Sequence, residues 1–380
     1  MPRTAHGRRT AHGRRTGRIA RQFAAAAAAG ALLANAVPSQ ALAWGHTGHV
    51  GISQLAILDL PTELPAFLRT AQAAGEIGEL GPEPDISKTT GIVTGTTSSG
   101  SLQTARTAHD AERDPGHYMD VDDSGNVVGG AVSLMSLPLT REAFDTAQRA
   151  ATNPGGQDQY SAGYLPYTII IGFQQVRKDF GIWRALSVGL QTATTDADRA
   201  YFRNQLQIRQ QLIIRDIGYW SHFVADASQP MHVSIHFNGW GNYPNPNGYT
   251  TAPLHAPFEG AFVHKFIDFS AVNAQVRPYT DRGVGTIEQR VPLYLAETLN
   301  QLVPVYQAAL NSGNDNYRTA QPAEVAIAQK QLAAGVAELR DEIVDAWRQS
   351  EQIAIGFPLV RVTDIENHVV QMTTTTLASD

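Results

Sequence analysis

The chain has no cysteine in its 380 residues. That excludes disulfides, thiolate metal sites and thiol nucleophiles. The fold must rest on its core, and any metal on nitrogen and oxygen donors. Charge is sparse as well: Asp, Glu, Lys and Arg together make 17% of the chain, with a formal balance of −6. Acid is missing altogether from residues 1–43, which carry seven arginines. Without them, residues 44–380 carry about −13. Such a chain has no general attraction for nucleic acid or for an anionic membrane surface. A phosphate group would need a local cationic site, which bound cations can create. Long apolar runs are missing too. Phe23–Val37 is too short to span a bilayer, and no second run follows it, so stable membrane insertion is not expected.

That short run, the arginines before it and the small-residue ending Ala41-Leu42-Ala43 read as an export signal. The arginine pairs Arg8-Arg9 and Arg14-Arg15 leave a folded-protein export route open. The expected division is a signal peptide at 1–43, a helical domain at 44–357 and a C-terminal arm at 358–380. The mature protein would be secreted or periplasmic. Cleavage after Ala43 makes Trp44 the first residue and its free α-amine a potential metal ligand.

Helical periodicity dominates the rest, so the expected fold is all-α: one mainly helical domain, with no Gly/Pro/Ser linker to split it. Helices are expected at Val50–Leu58, Glu63–Ala73, Arg141–Ala150, Pro166–Leu190, Ala197–Ala227, His255–Phe269, Thr286–Ser312 and Pro322–Glu351. Residues 75–115, rich in Gly, Thr and Ser, read as a long irregular loop, and Asn238–Pro253 as another. Asp120–Asn126 lacks calcium-loop spacing and reads as a surface turn. The tail Pro358–Met372 reads as a short strand or an irregular arm.

The chemistry lies in histidines and carboxylates. His222 and Asp226 are four apart on a predicted helix and so share a face; His255 and Glu259 form a second such pair. His232 follows six residues after Asp226, where Pro230 should end the helix. His49, Asp85 and His117 complete eight side chains of ligand type. Each has a plainer reading: a helix pair, a cap, a turn or a hydrogen-bonded core histidine. His46, His109, His236 and His264 are surplus. Nitrogen and oxygen donors without thiolate suit zinc, and eight side chains plus an amine exceed one tetrahedral ion but suit two or three.

Trp44-Gly45…Gly48-His49, Asp85, His117, His222-x3-Asp226-x5-His232 and His255-x3-Glu259 together resemble the motifs of the trinuclear-zinc phosphodiesterases. This superfamily contains bacterial zinc-dependent phospholipase C and the S1/P1 single-strand nucleases. The resemblance spans residues 44–259. It implies an exported all-α domain holding three Zn²⁺ per chain. One ion would sit with Asp85, His117 and His222, with Asp226 bridging. A second would take the amine and carbonyl of Trp44, His49 and the other oxygen of Asp226. The third would take His232, His255 and Glu259. Asp226 and Asp85 are the implied catalytic carboxylates, and the implied reaction is attack of a metal-generated hydroxide on a phosphodiester.

The two branches of the family differ in substrate. Glu259 in His255-Ala256-Pro257-Phe258-Glu259 and the segment Ser228-Gln229-Pro230-Met231-His232 are similar to the phospholipase pattern. The short step from Trp44 to His49, the gap from His232 to His255 and Lys88 are similar to the nucleases. Lys88, Tyr118 and Trp240 are the expected substrate contacts, either stacking on a base or lining a choline site. A phospholipid substrate of a monomeric phospholipase C is the favoured expectation. Single-stranded nucleic acid or nucleotides, cleaved by an S1/P1-type nuclease/3'-nucleotidase, are the alternative. A non-catalytic, zinc-stabilised exported binding protein is a further one.

Overall fold

The computed structural model describes residues 44–88, 91–105, 108–129, 132–151 and 158–377. The expected signal peptide lies outside them. Helices fill most of the described chain. The first half holds α1 Gly45–Leu58, α2 Ala71–Leu80, α3 Glu83–Lys88, α4 Ala108–Arg113, α5 Arg141–Ala151 and α6 Gln159–Ala162. Two long helices follow, α7 Leu165–Thr192 and α8 Asp196–Asp226. Then come α9 Val263–Phe266, α10 Phe269–Asn273, α11 Ile287–Leu299, α12 Leu302–Asn311, the long α13 Pro322–Gln349 and α14 Val362–Glu366. The only sheets among the described residues are two antiparallel ribbons. One pairs β1 Ile92–Thr96 with β2 Leu102–Ala105, the other β3 Ala354–Ile355 with β4 Val360–Arg361.

Local chemistry sets the long helices. Pro166 sits in the first turn of α7, where a missing N–H costs nothing. The Thr195 hydroxyl accepts from the Asp198 N–H and caps α8, whose first turn carries Asp196 and Asp198 against the helix dipole. Packing is close enough that a Cβ on Gly172 of α7 would lie 2.1 Å from the Trp220 ring of α8. The core joins Ile52 and Ala56 of α1, Phe173 and Phe180 of α7, Ile213 and Ile217 of α8, and Leu332, Val336 and Leu339 of α13. A second cluster packs Val362, Ile365 and Met372 against Leu186 of α7 and Phe202 of α8. The segment from 358 onward is thus tied to the bundle by apolar side chains.

α13 also buries charge. Glu338 accepts from Arg290 Nε at 2.7 Å, Arg282 Nη2 at 2.8 Å and Arg277 Nη2 at 2.9 Å. Burial opposes ionisation of Glu338, but Arg290 and Arg282 outweigh it and hold the carboxyl below its usual value. This pins the 277–290 segment to the helix.

Four expectations change. The helix expected at His255–Phe269 is instead the π-helical turn Pro257–Phe262 followed by α9, which ends at Phe266. The helix placed at Glu63–Ala73 begins instead at Ala71, where Thr70 caps it; Pro65 lies in the turns before it. The 75–115 stretch is not one loop: it holds most of α2, then α3, the β1–β2 ribbon and α4. Gly78 has a place in this helix because it packs against Gln54 of α1, where a Cβ would collide. Thr286–Ser312 divides into α11 and α12 at Asn300-Gln301. No described helix is long and apolar enough to cross a membrane.

Candidate metal centre

The last turns of α8 are buried on every side. From Trp220 to Asp226 each residue is in the interior, including the polar Ser221, His222 and Asp226. A helix end this buried has to satisfy its polar side chains internally. His222 and Asp226 do so by facing three other elements.

His222 Nδ1 meets the Gly81 carbonyl at 2.8 Å. That bond places the proton on Nδ1 and leaves the Nε2 lone pair facing Asp226 Oδ2 at 3.3 Å, Asp85 Oδ1 at 3.6 Å and His117 Nδ1 at 2.9 Å. Asp85 comes from α3. His117 ends a short 3-10 turn, Asp114–His117, that Pro115 opens. His49, from α1, stacks on His222 with ring centres 4.0 Å apart and places Nε2 3.5 Å from Asp226 Oδ1. Asp226 therefore has one oxygen toward His49 and the other toward His117 and His222, the arrangement a bridging carboxylate needs.

A third group lies beyond the helix. Past Asp226 the chain turns through the 3-10 segment Pro230–Val233, where His232 Nδ1 meets the His117 carbonyl at 2.6 Å and leaves Nε2 free to face inward. His255 Nε2 lies 2.6 Å and His232 Nε2 3.8 Å from Glu259 Oε2. Glu259 sits in a π-helical turn, Pro257–Phe262, a local widening often found at functional sites. Gln229 Nε2 donates to Glu259 Oε2 at 2.9 Å and fixes the carboxylate.

The ligand atoms gather into three sets: His49, His222 and Asp226; Asp85, His117 and His222; His232, His255 and Glu259. Their fit to cations can be tested on the atoms themselves. Asp226 Oδ1, His232 Nε2 and Glu259 Oε1 are buried without a hydrogen-bond partner. An uncompensated buried acceptor costs about 1–3 kcal/mol, more when charged, so three at one place call for a partner that the protein does not supply. Protonation agrees. Burial, with help from Lys88, brings His117 down to about 4, and burial brings His255 down to about 3, so both imidazoles are neutral with lone pairs to give. Burial opposes the Asp226 charge, but His222, His232 and the bond from His117 hold the carboxyl well below its usual value. Asp85 is likewise lowered against burial by His222 and Lys88. Burial raises Glu259 to about 7. His222 is raised against burial by Asp226 and Asp85, so a cation there would compete with a proton for Nε2. The donor set fits metal ions.

Trp44 is fully buried. Its indole Nε1 donates to Ser228 Oγ at 2.7 Å, and its ring tilts against Phe258 at 5.5 Å. Both Trp44 (φ 35°) and Gly45 (φ 48°) are left-handed, and a Cβ on Gly45 would lie 3.2 Å from the Glu259 carbonyl. The residue following the expected cleavage point is thus pressed against the centre in a conformation that bulky residues avoid. In the uncleaved chain its nitrogen is an amide, and its carbonyl accepts from Gly48 N at 3.1 Å.

Among the expected substrate contacts, Lys88 reaches Asp85 Oδ1 at 2.6 Å and Asp114 at 3.9 Å. Tyr118 is half-buried, with its hydroxyl toward the Tyr160 carbonyl. Trp240 does not offer a face to a ligand. It stacks on His236 at 3.8 Å, packs against Tyr249 and Tyr306, and donates to the Pro244 carbonyl. An aromatic residue in a Gly- and Asn-rich loop is the anchor of that loop, which accounts for its burial.

Four residues near the centre are not among the expected site residues. Gln229 is legible only once Glu259 is beside it. Asp120, which burial raises to about 8, follows His117 by three residues. Arg141 and Tyr164 come together from distant segments, with the guanidinium 3.6 Å over the ring. They line a cavity of about 190 Å³ with Lys88, His117, Tyr219 and Phe223.

No protein-family model matches the chain, and no curated protein is significantly similar to it. What the chain is rests on its geometry: a mainly helical protein with three buried His/Asp/Glu sets able to coordinate metal ions.

Proposed function

We propose that the protein is an exported zinc-dependent hydrolase of phosphodiesters. The observation that supports this most is Asp226, with one oxygen toward His49 and the other toward His117 and His222, beside Asp85 and with a third His/Glu set beyond His117. One structural ion would need a closed set of four ligands. Adjoining sets that do not each close around one ion would leave positions for water and substrate oxygen.

His49, His117, His222, Asp85 and Asp226 would hold two ions, with the Trp44 amine added after cleavage; His232, His255 and Glu259 would hold the third. Bound there, zinc supplies Lewis-acid stabilisation of a phosphoryl group and lowers the pKa of water. The protein's own part is orientation. The Gly81 and His117 carbonyls fix the tautomers of His222 and His232. Gln229 holds Glu259. Lys88 places a cation in the cavity next to His117, where a phosphate oxygen can be bound. Ionised Asp85 accepts from Lys88 and can orient a water at the metals.

Phospholipids and single-stranded nucleic acid both present a diester that this chemistry would cleave, so substrate choice falls to the surfaces around the centre. The test is direct. Protein beginning at Trp44, dialysed and analysed for metal, should hold close to three zinc ions. It should hydrolyse bis(p-nitrophenyl) phosphate and lose that activity with chelator. Full rate in metal-free protein, or three bound ions with no turnover of any phosphodiester, overturns the reading; the latter result would leave a zinc-stabilised binding protein.

A further inference from the structure

The cavity beside His117 is lined by apolar and basic side chains. Ile171, Tyr219 and Phe223 are among the apolar ones; Lys88, Arg113 and Arg141 are its basic residues, and Asp114 is its only carboxylate among the described residues. Lys88 is already engaged by Asp85 and Asp114. Arg141 is different. It opens α5, stacks 3.6 Å over Tyr164, and donates Nε to Gln159. Among the described residues no carboxylate forms an ion pair with it: its neighbour Asp145 is taken by Arg149 at 2.8 Å. A guanidinium held flat on a ring and fixed at Nε keeps its two terminal nitrogens in a set direction, ready for two oxygens of one anion.

We propose that Arg141 forms a second-anion subsite, binding a phosphate or equivalent anionic group one step away from the phosphodiester at the metals. This rests on the phosphodiesterase reading and adds a selectivity that the metal centre does not carry. A substrate bearing a second phosphate gains a charge-assisted bidentate contact in a partly desolvated cleft. A zwitterionic choline head group would bring its ammonium toward Arg113 and Arg141, and the ring face of Tyr164 that could have received it is covered by the guanidinium. The cavity is also smaller than the roughly 300–1,000 Å³ of sites that enclose a whole ligand, so it suits a single group of a larger substrate.

The experiment is calorimetric titration of zinc-loaded protein beginning at Trp44 with four probes: inorganic phosphate, phosphocholine, propane-1,3-diol bisphosphate and a nucleoside 3',5'-bisphosphate. The bisphosphates should bind roughly 10- to 100-fold more tightly than phosphocholine at low salt, and the margin should shrink as ionic strength rises. Arg141→Gln should bring the ratio to within a few-fold, and Arg141→Lys should restore part of it. Tighter binding of the nucleoside probe assigns the second phosphate to nucleic acid; tighter binding of the propanediol probe assigns it to a lipid head group. Equal binding of phosphocholine and the bisphosphates by the unaltered protein overturns the proposal, whatever the variants do. So does a ratio that survives in folded Arg141→Gln. Hydrolysis of bis(p-nitrophenyl) phosphate by the same preparation separates the two failures. Turnover without anion selectivity removes only the subsite, whereas absence of turnover removes the phosphodiesterase reading.

Discussion

Replacing Asp226 by Asn tests the bridge. The change keeps shape and volume and removes one formal charge from a fully buried point. That point lies 3.1 Å from His117 Nδ1, 3.3 Å from His222 Nε2 and 3.5 Å from His49 Nε2. In the zinc-free protein the carboxyl is held below its usual value, so the folded state binds its proton more weakly than the unfolded state. The stability it lends is therefore present above the unfolded pKa, near 4, and is lost as pH falls through the folded value. At neutral pH the zinc-free Asn variant should melt earlier than zinc-free wild type, and this difference should close in acid. With metal the effect is larger. Changes to groups that merely orient a ligand cost about 10- to 100-fold in metal affinity. Loss of a directly ligating charge should cost at least ~100-fold, about 2.7 kcal/mol, at each ion it serves. Equilibrium dialysis against a zinc buffer, followed by elemental analysis, should show two weakened sites and one intact, because His232, His255 and Glu259 form a separate set. A variant with full zinc content and full rate would refute the bridging role. Loss of only one ion would reduce Asp226 to a ligand of a single site.

One residue added before Trp44 turns its amine into an amide; zinc occupancy at the His49 site should fall, and unchanged metal content would rule out the amine as a ligand. Gln229→Leu removes the 2.9 Å bond to Glu259, so zinc titration should show affinity at the third site reduced about 10- to 100-fold with the other sites unaltered. Glu342 lies buried on α13 with neither oxygen hydrogen-bonded, and burial, then Glu338, raises its pKa well above the usual value. The unfolded chain releases this proton more easily, so the cost to stability grows as pH rises above about 4.5, by up to ~1.4 kcal/mol per pH unit. Glu342→Gln should therefore raise the melting temperature of zinc-free protein more at pH 8 than at pH 5, and a pH-independent shift would show that the carboxyl is not held protonated.

How legible the centre was depended on the kind of contact. His222 with Asp226, and His255 with Glu259, are pairs along one stretch of chain, and four-residue spacing places both members on one face before any fold is known. His49, Asp85 and His117 were found by residue type and motif, yet nothing local says that they meet. That requires α1, α3 and a proline-opened turn to converge on the last two turns of α8. The long helices were legible because apolar periodicity and caps such as Thr195 act over a few residues. The 75–115 stretch was not, because Gly78 reads as a helix breaker until Gln54 of α1 is seen to need its space. Trp240 shows the limit from the other side: an aromatic ring has equal reason to stack on a ligand or on His236, and only the three-dimensional count of its neighbours decides. Arg141 makes the same point about charge. Asp145, four residues on, offers a ready helix partner, but it pairs with Arg149 instead, and the guanidinium lies over Tyr164, twenty-three residues away along the chain. Which of the two helix arginines takes Asp145 is settled only in the folded chain, where Arg149 also reaches Asp158 at 3.0 Å, and on the proposed reading this leaves the Arg141 guanidinium to an external anion.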